Sequence, residues 1–210
     1  MPLFLYPLPS VSAKEYKELV MSTWVNSDDD KRLSLSFVKK SDGSYIGLFN
    51  RSEFEDGVLE RNKMLMDAVI SKAGVNKFLF LRGRKPLEQD SSTSGPASSL
   101  TTEAVTVAKQ SAENVKQPTY FAFIYEIEDD FLYLFKVDDK KITGLIKEGL
   151  LDGDLVRHNS WQTTVTVKSS PEKLAAVLKD YCLGALSDRD FDDKENSTSS
   201  VKATVTFKRK

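Results

Sequence analysis

PTYFAFIYEIEDDFLYLFKV, residues 118–137, carries seven of the chain's 21 aromatic residues. Tyr120, Phe121, Phe123 and Tyr125 fall in one apolar run, Tyr120 to Ile127. Phe131, Tyr133 and Phe135 fall in a second, Phe131 to Val137. Aromatic and β-branched residues fit the pleated surface of a sheet, and the short acidic link Glu128-Asp129-Asp130 reads as a tight hairpin. Asp tolerates the positive φ of such a turn, less well than Gly. Both faces of both runs are apolar. One face can point into a barrel or sheet core, and the other then needs covering, as in sheets that carry helices on one side. The helix expected from Pro171 to Cys182 and the one expected near Leu65 are the candidates to cover it.

Upstream, Leu33, Leu35 and Phe37 alternate with Ser34 and Ser36. Period two with a polar opposite face predicts a half-buried strand. Asp42-Gly43 supplies the turn, and Tyr45 to Phe49 the antiparallel return. Ser12-Ala13-Lys14-Glu15 has the capping-box pattern, which predicts a short helix with Tyr16, Leu19 and Val20 on one face. Residues 55–74 follow a second such box, Ser52 to Glu55. Val58, Leu65, Met66 and Val69 have tolerable helical spacing, with Gly74 as a stop. We read a helix here, a strand reading surviving for Met64 to Ile70. Phe78 to Leu81 reads as a strand that is apolar on both faces.

Residues 88–117 contain no aromatic residue and are rich in Ser and Thr. Such a stretch buries too little apolar area to offset the entropy of ordering, so we read a long polar loop. Downstream, one helical turn is expected near Ile142 to Glu148 and a strand over Gln162 to Val167. A helix follows, capped by Ser170 with Pro171 at its first position. Its apolar stripe runs Leu174, Val177, Leu178, Tyr181 and Cys182. An acidic loop, residues 187–200, then leads to a last strand, Val201 to Phe207. Without regular β-α-β alternation, a parallel doubly wound sheet is not expected.

The chain has 210 residues, 40% of them hydrophobic and 29% charged, with a net charge of −1. That length suffices for a core without metal or disulfide staples. We expect a single domain, 1–210, the alternative being that 1–87 and 118–210 form two halves of one sheet system. The near-zero charge gives no field toward nucleic acid or an anionic membrane. No apolar run reaches the roughly 20 residues of a membrane-spanning helix. The three prolines of MPLFLYPLPSVSAKE and its lack of basic residues near the start favour an edge strand or extended arm over a signal peptide. The single cysteine, Cys182, cannot form an intramolecular disulfide, which fits a reducing compartment. A cytoplasmic location is the expectation, with secretion left open.

Catalytic patterns are scarce. His158, the one histidine, stands in LVRHNSWQ and reads as a surface residue. Cys182 reads as a core thiol and not a nucleophile. Zinc ligands are too few, and neither a phosphate-binding loop nor a dinucleotide fingerprint occurs. The acids of residues 28–30, 128–130, 138–139, Asp152 and Asp154 sit at turns, where solvated carboxylates are commonplace. No metal or cofactor is expected. The basic patch Arg82 to Pro86 is small, and the acids around residues 126–139 would repel phosphate, so nucleic acid is not an expected partner.

Ser22-Thr23-Trp24, after a short helix and before antiparallel hairpins, resembles the opening of lipocalin-like (calycin-type) β-barrels. There a small residue, any residue and Trp begin the first strand. The late helix followed by a last strand is also similar. Ser22 replaces the family's usual Gly, and the Arg that packs over the Trp in that family is not placed by sequence. The resemblance implies a barrel in which Trp24 plugs one end and the other end admits an apolar ligand.

The expected fold is therefore α+β: a predominantly antiparallel sheet or lipocalin-like barrel with about three packed helices. The first functional reading is a non-enzymatic protein holding a small apolar molecule. Its candidate lining is Leu35, Phe37, Tyr45, Phe80, Phe123, Tyr125, Tyr133 and Phe135. The alternative is an interaction or scaffold subunit with a solid core, contacting a protein partner through loops 88–117 and 187–200. An enzyme stands third.

Overall fold

The computed structural model describes residues 1–11, 16–27, 31–42, 44–55, 58–84, 119–159, 163–181, 183–186 and 203–210. The readings of Ser12 as a cap, of Cys182, and of loops 88–117 and 187–200 lie outside them. In chain order the elements are β1 (Leu3–Phe4), α1 (Lys17–Met21), β2 (Trp24–Ser27), β3 (Lys31–Lys39), β4 (Tyr45–Glu55) and β5 (Val58–Ala73). Then come β6 (Asn76–Gly83), β7 (Tyr120–Glu128), β8 (Phe131–Lys136), α2 (Asp139–Lys147), β9 (Gly153–Arg157) and β10 (Thr163–Val167). α3 (Pro171–Leu178), α4 (Leu183–Leu186) and β11 (Val205–Arg209) complete the set.

Eight strands close a barrel. Each of β2 to β7 pairs antiparallel with the next, and β11 enters between β8 and β2 to shut the ring. Closure removes the sheet edges on which other chains could pair. An eight-stranded barrel is just wide enough to be filled by side chains or to hold one small ligand. β1 extends the structure sideways: it lies antiparallel to β7 at Phe121 and Tyr120, and parallel to β10, which pairs with β9.

Alternation along β6, β7 and β8 divides their side chains between two cores. Leu79, Leu81, Tyr125, Leu132 and Leu134 point into the barrel. Phe78, Phe80, Ile124 and Phe135 point outward and are covered by Ile142 and Leu145 of α2, Leu174 and Leu178 of α3, Leu186 of α4, and Phe4 and Leu8. Ser170 caps α3 by accepting from Lys173 N, with Pro171 at the helix start. Asp138 caps α2 in the same way, accepting from Lys140 N at 2.7 Å.

Two expectations are corrected. Where a helix is expected over residues 55–74, Val58–Ala73 form strand β5, hydrogen-bonded to β4 along its first part and to β6 along its last. Its Met, Leu, Ala and Lys content favours helix locally. The period-two set Met66, Ala68 and Ile70 instead fills the barrel opposite β4 and β6, and burial outweighs the few tenths of a kcal/mol per residue of propensity. Of the final strand expected over Val201 to Phe207, Val201 and Lys202 lie outside the described residues, and the strand runs Val205–Arg209. Val205 and Phe207 face the barrel, whereas Ala203 packs on the outer core.

On the outer face of β5, Asp67 accepts from Arg82 at 2.6 Å and Arg84 at 2.9 Å, with Lys40 at 3.4 Å. Arg82 also lies 5.0 Å over the Tyr120 ring. Asp67 thus offsets one charge beside the basic patch read from sequence. Burial acts to raise the Asp67 pKa, but the hydrogen bonds and charges of Arg82 and Arg84 outweigh it and hold the carboxyl at about 2 against an ordinary 3.8. Because the folded pKa is depressed, the stabilisation is present above pH 3.8 and is lost as pH falls through about 2. Allowing for partial exposure, we expect about 1–2 kcal/mol to disappear over that window. Asp67→Asn should flatten that part of the stability–pH curve, and equal slopes in parent and variant would contradict the assignment.

Candidate functional site

Register gives the barrel two unlike ends. At one end α1 lies across the opening. Leu19 and Trp24 are wholly buried, and the Trp24 indole N–H donates to the Leu19 carbonyl at 2.9 Å. Tyr16 meets Tyr45 edge-on, ring centroids 5.6 Å apart. Burial, followed by the neighbouring Tyr45, pushes the Tyr16 hydroxyl above the ordinary phenol pKa.

Arg209, from the last strand, holds this end together. Its guanidinium lies 5.3 Å from the Trp24 ring centroid, pairs with Glu18 of α1, and donates to the Asp129 carbonyl at 3.3 Å. It therefore ties helix, indole and the β7–β8 turn into one plug. Asp129 sits in that turn at φ 52, the positive value allowed for Asp.

The opposite end is different. Inward-facing side chains pass from buried to accessible along several strands. On β3 Leu35 is buried and Leu33 half-buried, and on β11 Phe207 is buried and Val205 half-buried. On β5 exposure rises from 8% at Met66 to 46% at Met64. Phe49 of β4 and Phe121 and Phe123 of β7 are half-buried as well. On β6 the inward series Leu79, Leu81 ends at Gly83, where an added Cβ would meet nothing within 4 Å. Leu35, Phe37, Ile70, Leu79, Tyr125, Leu132 and Phe207 are buried on the barrel side.

Of the eight residues read from sequence as a lining, five lie on the barrel side: Leu35, Phe37, Tyr45, Phe123 and Tyr125. Phe80, Tyr133 and Phe135 lie on the outer side, packed with the helices. Phe80 meets Phe4 edge-on at 5.5 Å and stacks on Phe78 at 6.1 Å. The accessible residues Leu33, Phe49, Met64, Phe121 and Val205 were not in that reading. Continuing each strand's alternation to its end finds Leu33, Phe49, Phe121 and Val205, whereas Met64 lies in β5, which local pattern reads as helix.

His158 is exposed, its Nε2 lying 2.8 Å from the Thr164 hydroxyl across the β9–β10 pair. Among the described residues no three His, Cys, Asp or Glu side chains converge where they could hold a metal ion. Among them, too, no helix is long and apolar enough to cross a membrane. No protein-family model matches the chain, and no curated protein or solved structure matches it significantly.

Proposed function

We propose that this chain is a lipocalin-like binding protein that takes a small apolar molecule into the accessible end of its barrel. The supporting observation is the exposure gradient itself: one end is sealed by Trp24, Leu19 and Arg209, while at the other apolar side chains of five strands remain open to solvent. Exposed apolar side chains gathered in one patch are the usual mark of a ligand or partner site. Leu33, Phe49, Met64, Met66, Phe121 and Phe123 make the contacts in this reading, and Leu35 and Phe37 form the floor. The helix before the first barrel strand, the Trp at that strand's start and the Arg of the last strand over it also resemble the lipocalin arrangement.

The test is titration with a fluorescent apolar probe, anilinonaphthalene sulfonate, displaced by decanoate. Saturable binding is expected. Gly83→Trp, which fills the open space at the rim, should weaken it at least tenfold while leaving the thermal midpoint within about 2 °C, the shift of well under 1 kcal/mol usual for a surface change. The full burial of the barrel-side residues Leu35, Leu79, Leu132 and Phe207 favours a second reading, a scaffold with a solid core. Non-saturable probe binding that Gly83→Trp leaves unchanged would support that reading instead.

A further inference from the structure

We propose that Lys72 and Lys77 form a site for the phosphate group of a small phosphomonoester, at the β5–β6 hairpin beside the plugged end of the barrel. In the β5–β6 ladder Lys72 stands directly opposite Lys77, and Lys77 stands directly opposite Tyr125 of β7. The three residues form one row across three strands. Alternation puts them on the same side, since Lys72 follows Ile70 and Lys77 precedes Leu79, both barrel-facing.

Like charges set directly opposite on a sheet repel, so the row carries an electrostatic cost that a bound anion would remove. Neither lysine has a carboxylate partner among the described residues, whereas Lys40, Lys168 and Lys173 are each paired with an aspartate.

Lysines at a hairpin tip are ordinarily solvated and do nothing more. Here they border a cleft of about 200 Å³, lined by both of them and by Val11, Ser71 and Tyr125. That is smaller than the roughly 300 Å³ at which drug-sized pockets begin. It suits a head group with a small apolar portion against Val11 and the Tyr125 ring.

The hairpin is also held in place. Asn76 donates to the Tyr181 carbonyl at 2.5 Å, and Gly74 presses against the Lys179 backbone. The strands that carry the lysines are therefore fixed before an anion arrives, which lowers the ordering cost of binding.

Charge selects the anion. Two ammonium groups match the −1.5 to −2 charge of a phosphomonoester near pH 7. A carboxylate offers half of that. Lysine serves phosphate well as a point charge and does not need the planar fork of arginine.

The experiment follows thermal unfolding of the full chain in phenyl phosphate and inorganic phosphate, with acetate and chloride at matched ionic strength. Phosphates are expected to raise the midpoint saturably, by about 3–6 °C at ten times the dissociation constant. Lys72→Gln/Lys77→Gln should abolish the rise while unfolding no lower than the parent in anion-free buffer. Lys77→Glu, which pairs with Lys72, should also abolish it and should fold at least as well as the parent. An equal phosphate effect on parent and variants would be general salt exclusion and would overturn the site. A rise that never saturates would overturn it too, and acetate acting as strongly as phosphate would overturn the assignment of the anion. The apolar end is not involved, so failure here leaves the binding proposal above standing.

Discussion

Replacing Trp24 by alanine is expected to destabilise the chain by about 3–5 kcal/mol. For 210 residues this is a fall in thermal midpoint of roughly 6–20 °C. The indole is wholly buried, so truncation leaves a cavity and removes its van der Waals contacts with the floor of the barrel. It also orphans the Leu19 carbonyl, which accepts the indole N–H. α1 has only five residues and no helical stability of its own, so it depends on that hydrogen bond and on the Arg209–Glu18 pair. Trp24→Phe keeps an aromatic ring but loses the N–H and should cost distinctly less. Calorimetry or circular-dichroism melting of the two variants measures this directly. A loss below about 1 kcal/mol for Trp24→Ala, the usual size of a surface change, would mean that Trp24 is not the plug.

Gly74→Ala is expected to cost about 2–5 kcal/mol, a left-handed backbone penalty of about 1–2 plus an overpacking term of about 1–3. Gly74 makes the turn between β5 and β6 at φ +60, and an added Cβ would lie 2.4 Å from the Lys179 carbonyl oxygen. The obstacle is backbone, which cannot swing aside as a long side chain would. Gly149 is the control: its φ is +74, but nothing lies within 4 Å of an added Cβ. Gly149→Ala should carry the backbone penalty alone, about 1–2 kcal/mol. Urea denaturation of both variants, with unchanged m-values, separates the two contributions. Equal costs would mean that the contact between the hairpin and Lys179 contributes nothing.

Where the sequence is legible, it is because one face of a strand is polar. Ser34 and Ser36 alternating with Leu33, Leu35 and Phe37 leave little choice of face, and β3 pairs with β4 as the Asp42-Gly43 signal implies. The aromatic hairpin has no polar face to break the tie. There the sides depend on how many residues the turn holds. A three-residue link, Glu128 to Asp130, would set Tyr125 opposite Tyr133 and Phe123 opposite Phe135, placing all four rings together. The turn holds two, with Glu128 opposite Phe131, so Tyr125 stands opposite Leu134 and Phe123 opposite Lys136. One residue of slip moves every side chain of β8 to the other face. That single difference sends Tyr133 and Phe135 to the helices.

β5 was illegible for another reason. Helical and strand spacing both fit its apolar run, and the decision lies in two partner strands that local pattern does not reveal. Arg209 was likewise hidden, since its contact with Trp24 joins the two ends of the barrel's strand order.

The accessible barrel end is the claim on which the functional account rests, and methyl NMR of the full chain titrated with decanoate tests it most directly. Saturable shifts are expected at Leu33, Met64, Met66, Leu81 and Val205, with the outer-core methyls of Val137, Ile142 and Leu174 unmoved. Shifts confined to that outer core, or no saturable shift at any of these positions, would contradict it.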